Sequence, residues 1–196
     1  EQYKAQREET PEAIRLSVPI IKDIIRAYRI PILEVAGYEA DDVIGTLATE
    51  AGRQGIITYM MTPDKDYGQL VSDKVFMYRP KHTGGFEVMG VDEVKAKFDI
   101  QSPAQVIDML GLMGDSSDNI PGCPGVGEKT AQKLIAEFGS IENLLEHTDQ
   151  LKGALKTKVE TNREMITFSK FLATIKIDVP IQLDMDSLVR EQADED

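Results

Sequence analysis

The sequence predicts an α/β core built on a parallel sheet, followed from about residue 90 by an all-α subdomain. Three observations carry that expectation. Residues 56–62, Ile-Ile-Thr-Tyr-Met-Met-Thr, form a continuous apolar run of strand length, the pattern of a parallel strand covered on both faces. Helical and extended stretches alternate around it in a βαβα rhythm. Beyond Val91 only short helical patterns remain.

In chain order, residues 1–9 are polar and charged, without apolar period and without an opening methionine, which reads as the middle of a longer chain. Thr10-Pro11-Glu12-Ala13 starts a helix, with Thr10 as N-cap and Pro11 at the first helical position. Its apolar residues Ile14, Val18, Ile21, Ile24, Ile25 and Tyr28 mark a face expected to be buried, and Pro19 should bend or interrupt it. Residues 30–35 read as a short strand and Gly37 as a turn. Residues 39–51 read as a helix with Val43, Ile44, Leu47, Ala48 and Ala51 inward, ended by Gly52 and Gly55. After the apolar strand come a short helix at 67–72, a strand at 74–79 and a hairpin turn at Gly84-Gly85. Ser102-Pro103-Ala104-Gln105 is a capping box leading into Val106, Ile107, Leu110 and Met113. Helices follow at 128–138, stopped by Gly139, at 141–146, and at about 151–175. The expected division is an α/β core over 1–89 and a helical part with an acidic tail over 90–196.

With 196 residues, 41% of them apolar, the chain can bury a real core. No run of about 18 apolar residues and no basic leader with an apolar segment are present, so neither spanning of a membrane nor secretion is expected, and a cytosolic location is. The single cysteine, Cys123, cannot form an internal disulfide. As a nucleophile it would want a paired histidine, and His82 and His147 both stand in polar, loop-like surroundings. A net charge of −12 argues against a protein that holds DNA by bulk positive charge. Seven of the acids, however, fall in three tight clusters, and their removal leaves about −5; six more (Asp184, Asp186, Glu191, Asp194, Glu195, Asp196) crowd the C-terminus. The acidity therefore reads as a metal site plus a solvated tail.

The clusters are Glu39-Ala40-Asp41-Asp42 at a helix start, Asp64-Lys65-Asp66 beyond the carboxyl end of the apolar strand, and Asp115 with Asp118, three apart on a helical turn. Each alone has a local reading: acids at a helix N-terminus stabilise it by roughly 0.3–1 kcal/mol, and surface acids need no ligand. Together, seven carboxylates with few interleaved cations are costly to gather unless a metal neutralises them. Oxygen ligands without His or Cys point to Mg²⁺ or Mn²⁺. Two such ions can activate water and stabilise the leaving oxygen of a phosphodiester.

Pro121-Gly122-Cys123-Pro124-Gly125-Val126-Gly127, followed by a helix with Ala131, Leu134, Ile135 and Phe138 on one face, matches a helix-hairpin-helix. In that pattern glycines let the backbone approach phosphates, and the helix start offers free N–H groups. An ordinary tight joint between two helices is the other reading. Gly122, Gly125, Val126, Gly127, Lys129, Thr130 and Lys133 are the candidate DNA contacts, of a kind that grips the backbone without reading sequence.

At these motifs the chain resembles the 5′-nuclease domain of bacterial DNA polymerase I, a member of the flap-endonuclease-like nucleases, over nearly its whole length. Gly37-Tyr38-Glu39-Ala40-Asp41-Asp42, Thr62-Pro63-Asp64-Lys65-Asp66 and Gly114-Asp115-Ser116-Ser117-Asp118-Asn119-Ile120-Pro121-Gly122 are similar to that family's metal motifs in order and spacing. By this resemblance Glu39, Asp41, Asp42, Asp64, Asp66, Asp115 and Asp118 would hold two divalent ions. Tyr3-Lys4-Ala5-Gln6-Arg7 is similar to the family's helical arch, which makes Lys4 and Arg7 the candidate catalytic cations at the scissile phosphate. The resemblance also implies that residues 122–127 grip duplex DNA with a monovalent cation, K⁺, on the hairpin carbonyls. The implied fold is a PIN-like, Rossmann-like core with a SAM-like helical subdomain. The implied substrates are 5′ flaps, nicked or gapped duplex and RNA primers on DNA, in a parent chain that carries a polymerase region and works at the bacterial nucleoid. Family members carry further aspartates on strands before the arch, so the chain is expected to be a truncated piece, weak or inactive alone, with an exposed sheet edge. A stand-alone 5′ flap nuclease and a non-catalytic helix-hairpin-helix DNA-binding module are the alternatives.

Overall fold

The computed structural model describes residues 4–5, 8–81 and 83–193. Strands β1 (Thr58–Met61), β2 (Val75–Pro80) and β3 (Phe86–Met89) form one sheet in that spatial order, β1 parallel to β2 and β2 antiparallel to β3. The sheet is mixed because the chain reverses tightly between β2 and β3, where Lys81 donates to the Gly85 carbonyl and Gly84 to that of Lys81.

Met60, Met77 and Met89 share one row of the register and face the core. The opposite face carries Tyr59, Phe76, Tyr78 and Phe86, neighbouring rings 4.7–6.5 Å apart. Strand β1 is therefore covered on one face only, contrary to the expectation from its unbroken apolar run. Ile57, Tyr59 and Met61 are 61%, 57% and 72% exposed, and among the described residues no strand pairs with the outer edge of β1.

Helix α1 (Glu12–Ala27) begins one residue later than its sequence suggests: Pro11 is the N-cap, and its carbonyl takes the N–H groups of Ile14 and Arg15. The helix continues through Pro19. Its apolar face is not buried; Ile14, Val18, Ile21, Ile24 and Tyr28 are all exposed, because among the described residues the stripe meets no second layer. Residues 30–35 form no strand. Pro31 has no N–H to give a ladder.

Helix α2 (Ala40–Arg53) lays Val43, Ala48 and Ala51 inward, whereas Ile44 stays exposed. Ile44 and Leu47 line an apolar cavity of about 480 Å³ together with β1 and the C-terminal residues Leu183, Met185 and Leu188.

The rest is helical: α3 (Val91–Phe98), α4 (Val106–Met113), α5 (Glu128–Phe138), α6 (Ile141–Glu146), α7 (Gly153–Thr161) and α8 (Arg163–Ala173). Gln105 begins the approach to α4 as the capping box requires, its side-chain oxygen accepting the N–H of Ser102 (3.1 Å). The long last helix is broken at Asn162, whose backbone (φ −107°, ψ 21°) leaves the helical region while its amide closes the α7 end on the Lys158 carbonyl (2.8 Å).

Helix α4 is the centre of this half; Val106, Met109, Leu110 and Leu112 have no exposed surface. Asp108 on its polar side accepts the Ile141 N–H (2.9 Å) and the Lys170 ammonium (2.6 Å), which ties α4 to α6 and α8. Gly111 lets these helices close: a Cβ there would stand 2.7 Å from Ile141 Cδ1 and 3.1 Å from Lys170 Cα. Gly111→Ala is expected to lose about 1–3 kcal/mol through overpacking, read as a lower urea midpoint with an unchanged slope.

The core is continuous across both halves, running from Ala48 through Met60, Val75, Val94 and Leu110 to Ala173. The segment after α8 returns to the first half. Ile175 donates to Gln69 (2.9 Å), Lys176 to Asp42 (2.9 Å) and Val179 to Thr46 (3.1 Å).

Candidate functional site

Glu39 stands at the N-cap of α2 without capping it. Its carboxylate pairs instead with the Lys4 ammonium, which lies 3.9 Å from Asp118 Oδ2, and the Lys4 N–H donates to the Asp118 carbonyl (3.0 Å). Asp41 accepts the hydroxyl of buried Tyr67 (2.7 Å), and Asp42 accepts the Lys176 N–H. Burial, then the bond to Asp41, push the Tyr67 phenol well above its ordinary range, so it stays a donor. These acids are held by residues distant in sequence rather than spent on the end of their own helix.

Asp64 accepts the Asp66 N–H (3.0 Å) and so caps the 3₁₀ turn Lys65–Leu70. The segment is turned, not extended, so Asp64 is exposed while Asp66 goes inward. The Asp66 carboxyl is largely buried and its Oδ1 accepts no hydrogen bond among the described residues; burial pushes its pKa up to about 6. Lys65 lies 3.4 Å from that oxygen and pairs with Asp115 Oδ2. Burial disfavours the Lys65 charge, but the bond to Asp115 and the two aspartate charges outweigh it and raise its pKa.

Asp115 and Asp118 are not on a helical turn. Paired bonds between Asp115 and Ile120 (2.9 and 2.8 Å) close residues 115–120 into a bridged loop, with Asn119 at φ 57°. Asp115 Oδ1 accepts from the Ser117 N–H (2.8 Å) and hydroxyl (2.6 Å). Burial works against its charge, yet Lys65 and Ser117 hold it below the usual carboxylate range.

The three clusters converge all the same. One cavity of about 220 Å³ is lined by Glu39, Asp41, Asp42, Asp66 and Asp118 together with residues 171–176. A second, of about 280 Å³, is lined by Asp64, Lys65, Asp66, Asp115, Ser117 and Asp118. Asp66 and Asp118 border both, so all seven acids surround one acidic recess. Among the described residues no three of them stand at the spacing of a single metal ion's ligands; the ammoniums of Lys4 and Lys65 lie between the clusters instead. Lys4 sits in a turn with Ala5, while Tyr3, Gln6 and Arg7 lie outside the described residues.

Sequence reasoning missed Lys65, Tyr67, Ser117 and Lys176 as partners of the acids. A signal existed for two of them. Ser117 two residues after Asp115 is the spacing of an aspartate-capped turn, and Lys65 is the cation inside an acidic triplet.

The hairpin follows directly from the bridged loop. Gly127 is the N-cap of α5, and its carbonyl takes the Thr130 and Ala131 N–H groups. The N–H groups of the first turn have no partner within the helix. Lys129 and Lys133 are exposed one turn apart, and Thr130 is half-buried. Gly122 and Val126 differ from the expected contacts. Both are buried, Gly122 giving its N–H to the Ser169 hydroxyl (3.0 Å) and Val126 packing in the core, so they anchor the hairpin from behind. Cys123 is buried too, burial raising its thiol pKa, and His147 turns to the Asn143 carbonyl (2.9 Å).

Residues 1–99 match the model of the 5′-3′ exonuclease N-terminal resolvase-like domain, and residues 101–196 that of the 5′-3′ exonuclease C-terminal SAM fold. DNA polymerase I of Bacillus caldotenax is 41% identical over 196 residues, covering 99% of this chain and 22% of that protein; DNA polymerase I of Bacillus subtilis is 44% identical over 189 residues, 95% of this chain and 21% of that protein. The chain thus spans about a fifth of the length of these relatives. A bacteriophage T5 D15 flap endonuclease, solved as a pseudo-enzyme-product complex with DNA and metal ions, shares the fold with a TM-score of 0.72 at 23% identity, covering 88% of this chain and 66% of that one. With both segments matched end to end, the chain belongs to the 5′-3′ exonuclease family.

Proposed function

We propose that this chain is the 5′-nuclease part of a DNA polymerase I, cutting phosphodiesters at 5′ flaps, nicks and RNA primers on DNA, ahead of a polymerase region of the same parent chain in the bacterial cytoplasm. The observation that carries this reading is the convergence of seven carboxylates from three separate stretches on one recess, continuous through Pro121 with a helix-hairpin-helix.

The donor set fits hard divalent ions. Every side chain around the recess that can ligate offers oxygen, and among the described residues the buried Asp66 Oδ1 has no hydrogen bond. Glu39, Asp41, Asp42, Asp64, Asp66, Asp115 and Asp118 would hold two ions, Mg²⁺ or Mn²⁺. When bound, such ions ease deprotonation of the attacking water and offset charge on the phosphate.

The chain's own groups do the rest. Tyr67 and Ser117 fix the carboxylate oxygens of Asp41 and Asp115 in direction, and Lys65 keeps Asp115 ionised. Lys4 and Arg7 are the cations for the negative charge that grows on the phosphoryl oxygens. Gly125, Gly127, Lys129, Thr130 and Lys133 hold the duplex by its backbone.

The test is incision of a 5′-labelled flap duplex with Mg²⁺ or Mn²⁺. EDTA should abolish cutting, and Asp64→Asn/Asp66→Asn should lower it at least about 100-fold while DNA binding persists. Binding without metal-dependent cutting would move the test to the full-length parent chain, and binding without cutting there too would favour the non-catalytic module.

A further inference from the structure

The Gly125 carbonyl of the hairpin already has a cation. Lys158 on α7 donates its ammonium to the Gly125 carbonyl (3.2 Å), and it sits so close over that residue that a Cβ on Gly125 would meet Nζ at 2.6 Å. Its backbone is fixed to the back of the hairpin: the Lys158 carbonyl accepts the Cys123 thiol (3.8 Å) and the Asn162 amide (2.8 Å), and neighbouring Val159 is fully buried. The Lys158 ammonium takes an acceptor position on the Gly125 oxygen that the monovalent cation implied by the family resemblance would otherwise use.

An ammonium has three N–H donors. One goes to Gly125, and the side chain is exposed, so the others face outward. Gly125 is two residues before the α5 cap, so the ammonium sits on the same hairpin that leads into the free N–H groups of the helix start. A phosphate at the hairpin would then be offered both the Lys158 positive charge and the N–H groups of the helix start.

We infer that Lys158 is a phosphate-backbone contact of the hairpin, its ammonium bridging the Gly125 carbonyl and a nucleic-acid phosphate in place of an exchangeable monovalent ion. The inference rests on the helix-hairpin-helix reading of the proposed function. It makes the grip on DNA independent of K⁺.

The experiment is fluorescence anisotropy of a labelled duplex in EDTA, in KCl and in tetramethylammonium chloride at equal ionic strength, folding being checked by circular dichroism. The wild-type chain should bind equally in both salts. Lys158→Ala should bind about tenfold more weakly in tetramethylammonium, with a salt slope smaller by about one contact, and should recover part of the loss in KCl, where K⁺ can reach the freed carbonyl. Lys158→Arg should stay near wild type. A wild-type requirement for K⁺, or unchanged binding by folded Lys158→Ala, would overturn the role of Lys158. The Lys129→Ala/Lys133→Ala variant separates the two levels. If it binds as wild type, the hairpin reading falls and this inference with it; if it weakens while Lys158→Ala does not, only Lys158 is wrongly placed.

Discussion

Alanine at position 122 is expected to remove a large share of this protein's stability, more than alanine at any other glycine. Gly122 has φ +63°, where a Cβ strains the backbone by about 1–2 kcal/mol. Steric contact costs more than that strain. The added atom would lie 2.3 Å from the Gly114 nitrogen and 2.7 Å from its Cα, and both neighbours are backbone. Neither strand of this crossing can yield, because Gly122 is pinned by Ser169 and residues 114–120 by the Asp115–Ile120 bridge. A loss beyond ~4 kcal/mol follows, against a typical total of about 5–15 kcal/mol. Gly125→Ala is the control. It also has positive φ, but its new atom meets only the movable end of Lys158, so about 1–2 kcal/mol should go. Urea unfolding of both variants decides the matter; a Gly122→Ala midpoint close to that of Gly125→Ala would mean the crossing opens easily.

Without divalent ions, Asp66→Asn should be more stable than wild type at pH 7 by about 3 kcal/mol, and no more stable near pH 4. The folded Asp66 carboxyl has its pKa pushed up from 3.8 to about 6, so between those values the folded chain holds a proton that the unfolded chain releases. Stability from this group is therefore complete below about pH 4 and falls as pH rises to about 6, beyond which the buried charge must be carried in full. Asparagine keeps the shape and carries no charge. The measurement is the difference in urea-unfolding free energy between the two proteins in EDTA across pH 4 to 8. Added Mg²⁺ should narrow the gap at pH 7, since an ion held by the folded wild type stabilises it by mass action, ~2.7 kcal/mol at a hundred times its Kd. A flat difference across pH would show that Asp66 is not desolvated.

Two helices of the second half are legible in the sequence almost to the residue, whereas the break of the last helix at Asn162 is not. Helices α5 and α6 begin and end where they are expected, α5 between Gly127 and Gly139, with Ala131, Leu134, Ile135 and Phe138 inward, because caps and 3.6-residue periodicity act within a few residues. The first half is less so. Whether Ile14 or Tyr59 is buried depends on what lies opposite, and residues 30–35 become a strand only beside a strand that accepts them. The carboxylates of the site are visible as types and spacings; their partners are not. Lys65 meets Asp115 across 50 positions and Lys176 meets Asp42 across 134, contacts that exist only once the core has closed.

The unbroken core has a consequence for how such proteins can be recombined. The two family segments meet near residue 100, yet Gly68, before that point, stands where a methyl group on it would be in ordinary contact, 3.4–3.5 Å, with Val94 and Phe98 and, across the border, with Val106 of α4. A chimera spliced at residue 100 from two relatives would set one parent's Gly68 turn and sheet against the other parent's α4. Its fitness would depend on whether the two parents had drifted together at that contact, so crossover points that survive selection should fall in the solvent-facing stretches on either side, and the border between the two sequence families should be silent.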